Sequence, residues 1–418
     1  MRLARCRLPD DERAARLGSV ATLNAGWVRF GGEVLLYAED TRWNDVVEHA
    51  QQQSLRLQEH PDIIDKDSMY LVIQNGRCFQ QERPEVQILF DKGRYLVVAL
   101  DPEEASQIDG RACFGIKPLE ENTVAFDVRT RAGERKAPAA PIQNLVDAVS
   151  RSDFEASLTH LASFPTRFST SAHYKDAATW ARSQLEAMSY ATTVQPISIP
   201  TLGDNSQNVI AERLGMGSGT RDLVLVVAHL DSINIRGGPE ANAPGGDDNA
   251  TGSAGLLEIA RVCKDHAAEH DLRFVLFGGE EEGLFGSQQY IDNLLPADRT
   301  RIRAVINMDM IGTLNAPTPS VLLEGAAVSQ SLIDELANAA ATYTALDVQT
   351  SLHPFNSDHV SFIKEGFSAV LTIEGTDGAN DNVHTANDTL DNIDYDLALE
   401  ILRMNVATTA KALAPQEV

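Results

Sequence analysis

Five short stretches place residues able to bind a cation or move a proton directly after apolar runs. The run LVLVVA ends in His229-Leu230-Asp231. A period-two strand puts His229 and Asp231 on one side, so the carboxylate can take the proton of one imidazole nitrogen while the other nitrogen faces a metal. Alone, such a pair fits a structural hydrogen bond equally well. Pro244-Gly245-Gly246-Asp247-Asp248-Asn249-Ala250-Thr251-Gly252 follows, leading into a helical pattern. Adjacent carboxylates repel unless a cation neutralises them, and the glycines let backbone approach closely, although a capped loop would use the same residues. The run LRFVLFGG ends in Glu280-Glu281-Glu282, and AVIN delivers Asp309 between Met308 and Met310. A carboxylate in an apolar run is costly to bury without a partner. Val383-His384-Thr385 supplies a second histidine just before a long helical pattern. Two histidines and three carboxylates, delivered by successive strand ends and loops, suit two zinc ions sharing one bridging carboxylate.

From residue 144 onward helical and strand patterns alternate, and three strands are almost entirely apolar. Such runs are buried on both faces, which predicts an α/β fold: a mixed, mostly parallel sheet sandwiched between helices, with ligands beyond the carboxyl ends of the strands. Residues 1–130 alternate short strand-like runs with one helical stretch, a small α+β domain without a catalytic constellation, and DKG at 91–93 reads as a hairpin turn. RAGERKAPAAPIQ, residues 131–143, carries Pro138 and Pro141 and reads as a linker, which leaves 144–418 as the larger domain.

The chain has 418 residues and a formal charge of -25, from 60 Asp and Glu against 35 Lys and Arg. That balance repels phosphates and anionic lipid, which argues against nucleic-acid or membrane partners and for a solvated surface. Cys6, Cys78, Cys113 and Cys263 form no CxxC pair; Cys78 and Cys113 could bond if geometry allowed. No apolar core of a signal peptide and no run of 18 apolar residues is visible. As written the chain reads as cytoplasmic, with export open, and its oligomeric state is not legible.

HLDS, PGGDDNATG, GGEEEGLFGS, NMDMIG and VHTANDTLDNI, in this order, resemble the motifs of the bacterial leucyl aminopeptidase and aminopeptidase Y family, co-catalytic dizinc exopeptidases. FPTRFSTS at 164–171 and NVIAE at 208–212 also match, so the likeness covers about residues 144–415. It implies a sheet of about eight strands and hydrolysis of the N-terminal peptide bond of peptides. It implies two zinc ions per chain, held by His229, Asp309, Glu281 and His384 as terminal ligands, with Asp248 bridging and Asp247 outside. Asp231 resembles the partner of His229, and a cis peptide is implied between Asp248 and Asn249. Glu280 resembles the general base, accepting a proton from a zinc-bridged water and passing it to the leaving amine. Glu282 is given no role and a surface position.

Tyrosines that polarise the carbonyl oxygen in family members are replaced here by Val383, Pro354 and Phe355, with His353 a candidate substitute. Asp358 and His359 are expected as buried scaffold. Met310 and Val383 beside two ligands would favour apolar N-terminal residues. A glutaminyl cyclase is disfavoured by the compact GEEEGLFGS, a carboxypeptidase by the scarcity of cationic groups beyond Arg236, and a metal-free binding protein by the complete ligand set.

Overall fold

The computed structural model describes residues 1–8, 24–108, 113–129 and 137–414. Two compact units emerge, one of Met1–Val128 with Gln349–Phe355, the other of Arg129–Val348 with Asn356–Val418.

In the first unit β1 (Arg2–Arg7), β2 (Gly26–Phe30), β3 (Glu33–Ala38), β4 (Gln58–Glu59) and β9 (Thr123–Arg129) form a sheet in the order β9-β2-β3-β1-β4. The helix Trp43–Gln52 buries Trp43, Val46 and Ala50, spaced three and four apart, in the same cluster as Val34 and Leu36 of β3. A second sheet, β6-β7-β5-β8, comprises β5 (Met69–Gln74), β6 (Gln87–Lys92), β7 (Tyr95–Ala99) and β8 (Phe114–Pro118). The expected DKG hairpin joins β6 and β7, with Gly93 at φ +70° donating its N–H to Asp91 Oδ1. Cys78 and Cys113 are bonded, their Cα atoms 6.0 Å apart. Within this unit Ser351 Oγ donates to Ala125 O at 2.7 Å, and His353 contacts Val124 O and Lys117 Nζ at 2.9 and 2.8 Å.

The second unit holds β10 (Ala191–Ile199), β11 (Asp204–Arg213), β12 (Leu223–His229), β13 (Asp271–Phe277), β14 (Ile302–Met308), β15 (Ser320–Glu324) and β17 (Ala369–Glu374) in the order β10-β11-β13-β12-β14-β17-β15. β16 (Asp347–Ser351) passes from this unit into the first. Parallel pairing is confined to β13-β12-β14-β17; the flanking pairs β10-β11, β11-β13 and β15-β17 are antiparallel. The helix Ala140–Asp147 begins inside the stretch expected as a linker, with Pro141 in its first turn, where a missing N–H costs nothing; residues 130–136 lie outside the described residues.

Period-two geometry explains the apolar strands. Every residue of β12 and β13 is buried. Val224, Val226, Ala228, Phe274 and Leu276 belong to a core shared with the helices Gly252–Cys263 and Tyr395–Leu413. Leu225, Val227, Val275 and Phe277 belong to a core on the other face with Tyr290, Ile291 and Phe362. Because β12, β13 and β14 run parallel, with His229 opposite Phe277 and Val227 opposite Asn307, their carboxyl ends open at one edge of the sheet.

Candidate metal centre

Three of the candidate ligands follow these ends, and two come from loops. His229 closes β12, and Asp309 follows β14 by one residue. Glu280 and Glu281 follow β13 through Gly278 and Gly279, the latter at φ +71°. Asp248 lies in the irregular turn Gly246–Thr251 ahead of the helix Gly252–Cys263, and the Asp248–Asn249 peptide is cis. His384, at φ +58°, comes from the loop between β17 and the last helix.

The side chains converge. Asp248 Oδ1 lies 3.2 Å from His229 Nε2, and its Oδ2 lies 3.1 Å from His384 Nε2. His229 Nε2 is also 3.2 Å from Asp309 Oδ1, and His384 Nε2 is 2.9 Å from Glu281 Oε2. The five residues thus form two trios sharing Asp248. His229, Asp248 and Glu281 offer ligand atoms within 4.8 Å of one another. Asp231 faces His229 Nδ1 at 3.6 Å, too long for a hydrogen bond, while its Oδ2 accepts from Ser169 Oγ and from the N–H of Glu281. It thereby joins the exits of β12 and β13.

Burial makes this concentration of charge expensive. Glu281 is pushed up to about 7, first by burial and then by Asp248, against the pull of His384. Burial also drives Glu280 well above its ordinary value; Asp309, Glu281 and Asp358 add to this and His229 opposes it. Asp248 goes the other way: burial would raise it, but the hydrogen bonds of His229 and His384 hold it below the usual carboxylate range. Both histidines are raised despite burial, His229 chiefly by Asp309 and His384 chiefly by Glu281.

Neutral imidazole nitrogens and carboxylate oxygens are the donors zinc prefers, and a cation here would relieve the mutual repulsion. Glu281 Oε1 is buried without a hydrogen-bond partner among the described residues, which leaves it free to ligate. The residues therefore fit zinc.

Several supporting residues act through contacts that spacing does not reveal. Ser357 Oγ donates to Asp309 Oδ2 at 2.7 Å and accepts from Asn307 Nδ2. Asp247, turned away, takes hydrogen bonds from Thr251, Gly312, Thr313 and Asn380. Asn249 Nδ2 donates to Met308 O, and its Oδ1 accepts from Gly252 N. Arg167 and Asp388 sit inside motifs already singled out, yet both act on backbone atoms of the 244–248 turn.

One expectation changes. Glu282 is half-buried, with both carboxylate oxygens enclosed, and burial followed by Asp231 pushes the group up to about 8 against the pull of Ser169. His353 belongs to the first unit, where it contacts Lys117 Nζ and Val124 O. Asp358 and His359 are fully buried, as expected, but the hydrogen bonds expected of a scaffold are not seen: their side-chain oxygens and nitrogens have no hydrogen-bond partner among the described residues, and His359 Nε2 lies 3.6 Å from Glu324.

The description Peptidase family M28 matches residues 208–409. A probable leucine aminopeptidase of Trichophyton verrucosum (strain HKI 0517) is 30% identical over 274 residues, 63% of this chain and 71% of that protein. Among solved structures, the Bacillus subtilis zinc aminopeptidase BSAP aligns with a TM-score of 0.57 at 17% identity, covering 64% of this chain and 96% of that one. A Bacteroides thetaiotaomicron glutaminyl cyclase shares the fold with a TM-score of 0.53 at 18% identity, covering 63% and 98%. On its matched segment and the aminopeptidase sequence aligned across most of its length, the chain belongs to peptidase family M28.

Proposed function

We propose that the chain is a zinc-dependent aminopeptidase that hydrolyses the N-terminal peptide bond of peptides, with two zinc ions per chain. The observation that carries this is the divided carboxylate of Asp248, one oxygen facing His229 and the other facing His384. His229 and Asp309 would hold one ion, Glu281 and His384 the other, and Asp248 both. When bound, zinc supplies Lewis acidity to the scissile carbonyl and lowers the pKa of the attacking water. Glu280 is 8% exposed and sits among His229, Asp309 and Glu281, a setting that raises its proton affinity. It takes the water proton as the water oxygen bonds to the carbonyl carbon, then delivers it to the departing amine as the C–N bond breaks. Asp231 touches no reacting atom; it fixes the backbone of Glu281 and faces His229.

Met310, buried at φ +53°, and half-buried Val383 flank two of the ligands and favour apolar N-terminal residues. The fold is shared with a cyclase, so N-terminal glutamine is the competing substrate. Metal analysis with hydrolysis of leucine p-nitroanilide tests the reading. We expect two zinc per chain, loss of activity to chelator, and no cyclisation of glutaminyl peptides. Glu280→Gln is expected to keep its zinc and lose about 10²–10⁴-fold in kcat; a variant of near-normal rate would refute Glu280 as base.

A further inference from the structure

The turn that carries Asp248 is gripped from both sides by two buried residues, an aspartate and an arginine. On one side, three consecutive backbone donors end on Asp388. Gly246 N–H donates to its carbonyl oxygen at 3.0 Å, Asp247 N–H to Oδ1 at 2.8 Å, and Asp248 N–H to Oδ2 at 2.9 Å. On the other side, the Arg167 guanidinium satisfies carbonyls: Nη1 donates to Pro244 O and to Leu161 O, Nη2 to Gly245 O, and Nε to Leu230 O at 2.8 Å. Arg167 has no exposed surface and Asp388 2%. Such groups are costly to bury unless their bonds are all made. The fit is close: a Cβ on Gly246 would stand 2.8 Å from the carbonyl carbon of Thr389.

The connectivity gives the grip a purpose. Asp388 lies four residues after His384 on the same loop, and Leu230 lies between His229 and Asp231 at the exit of β12. Arg167 therefore ties the His229 segment to the turn, and Asp388 ties the His384 loop to it.

We propose that Arg167 and Asp388 are positioning residues that set the two oxygens of Asp248 between His229 and His384 before metal arrives. The inference rests on the metal-centre reading above. The geometry makes Asp388→Asn a graded lesion, because an amide oxygen can accept one of the two side-chain N–H bonds while its NH2 group confronts the other donor. Gly246→Ala parts the same two loops without altering a charge.

The test is competitive titration of the metal-free proteins with Zn2+, and with Co2+ read by its visible absorption, with far-UV circular dichroism recording the fold. Both variants are expected to bind Zn2+ at least tenfold more weakly than the wild type and to show an altered Co2+ spectrum. Folded variants with wild-type affinity and spectrum would overturn the proposal. Hydrogen exchange on the metal-free wild type needs no variant: the amides of 246–248 should already be protected, and free exchange until Zn2+ is added would also overturn it. If the wild type itself binds no Zn2+ or Co2+, the metal-centre reading fails instead.

Discussion

Asp309, proposed above as a metal ligand, depends on its neighbour for its orientation. One of its oxygens faces His229, and the other is pinned by the Ser357 hydroxyl. Ser357→Ala should leave the fold intact and weaken zinc binding about tenfold, measured by competition with a chelating dye. Glu282 poses the opposite problem, a half-buried carboxyl whose enclosed oxygens lie beside Asp231. At neutral pH the folded chain holds this group protonated while the unfolded chain ionises it, a penalty that a permanently neutral side chain avoids. Glu282→Gln is expected to raise stability by about 1–2 kcal/mol in denaturant unfolding while zinc content stays unchanged.

At the level of elements, the end of β13 opposite Glu280 and Glu281 is secured by an ion cluster. Asp271 accepts from Gly215 N–H, Arg221 Nε and Arg301 Nη1 at 2.6 to 2.8 Å, and is 1% exposed. Burial would raise it, but these bonds outweigh burial and hold it below its ordinary value of 3.8. A carboxylate depressed in the folded state contributes stability that is complete above the unfolded value and disappears as pH falls through the folded one. Asp271→Asn should therefore cost about 2 kcal/mol at neutral pH, because both arginines are partly exposed, and unfolding profiles should show the difference shrinking below pH 4. The helix Gly252–Cys263 has a comparable weak point at its first residue. A Cβ at Gly252 would stand 2.5 Å from Met308 O, so the helix can approach β14 only as glycine.

Across the whole molecule, the chain returns to its first unit at 349–355 and leaves again one residue before Ser357. Ser351 and His353 take their hydrogen bonds from that unit, at Ala125, Val124 and Lys117. Deleting residues 1–128 would strip these partners from a strand segment and leave bare backbone. The truncated protein should aggregate or lose zinc affinity relative to the full chain, checked by size-exclusion chromatography and metal titration. Zinc should stabilise the intact chain by mass action: a free concentration about 1,000-fold above Kd adds about 4 kcal/mol, seen as an upward shift in Tm that chelator reverses. No helix among the described residues is long and apolar enough to cross a membrane.

The apolar runs ending at His229, Phe277 and Met308 determined a great deal, because strands buried on both faces read as unbroken hydrophobic sequence and their polar ends must meet at one sheet edge. The motif resemblance named the five side chains that the structure gathers. Tertiary structure alone decided that Glu282 turns inward, that Cys78 meets Cys113, and that residues 349–355 belong with the N-terminal unit. It also decided the grip of Arg167 and Asp388 on one turn. The grip depends on backbone N–H and C=O groups meeting side chains dozens to more than a hundred positions away. Side-chain periodicity records which face of an element is buried, not which distant partner satisfies its peptide groups.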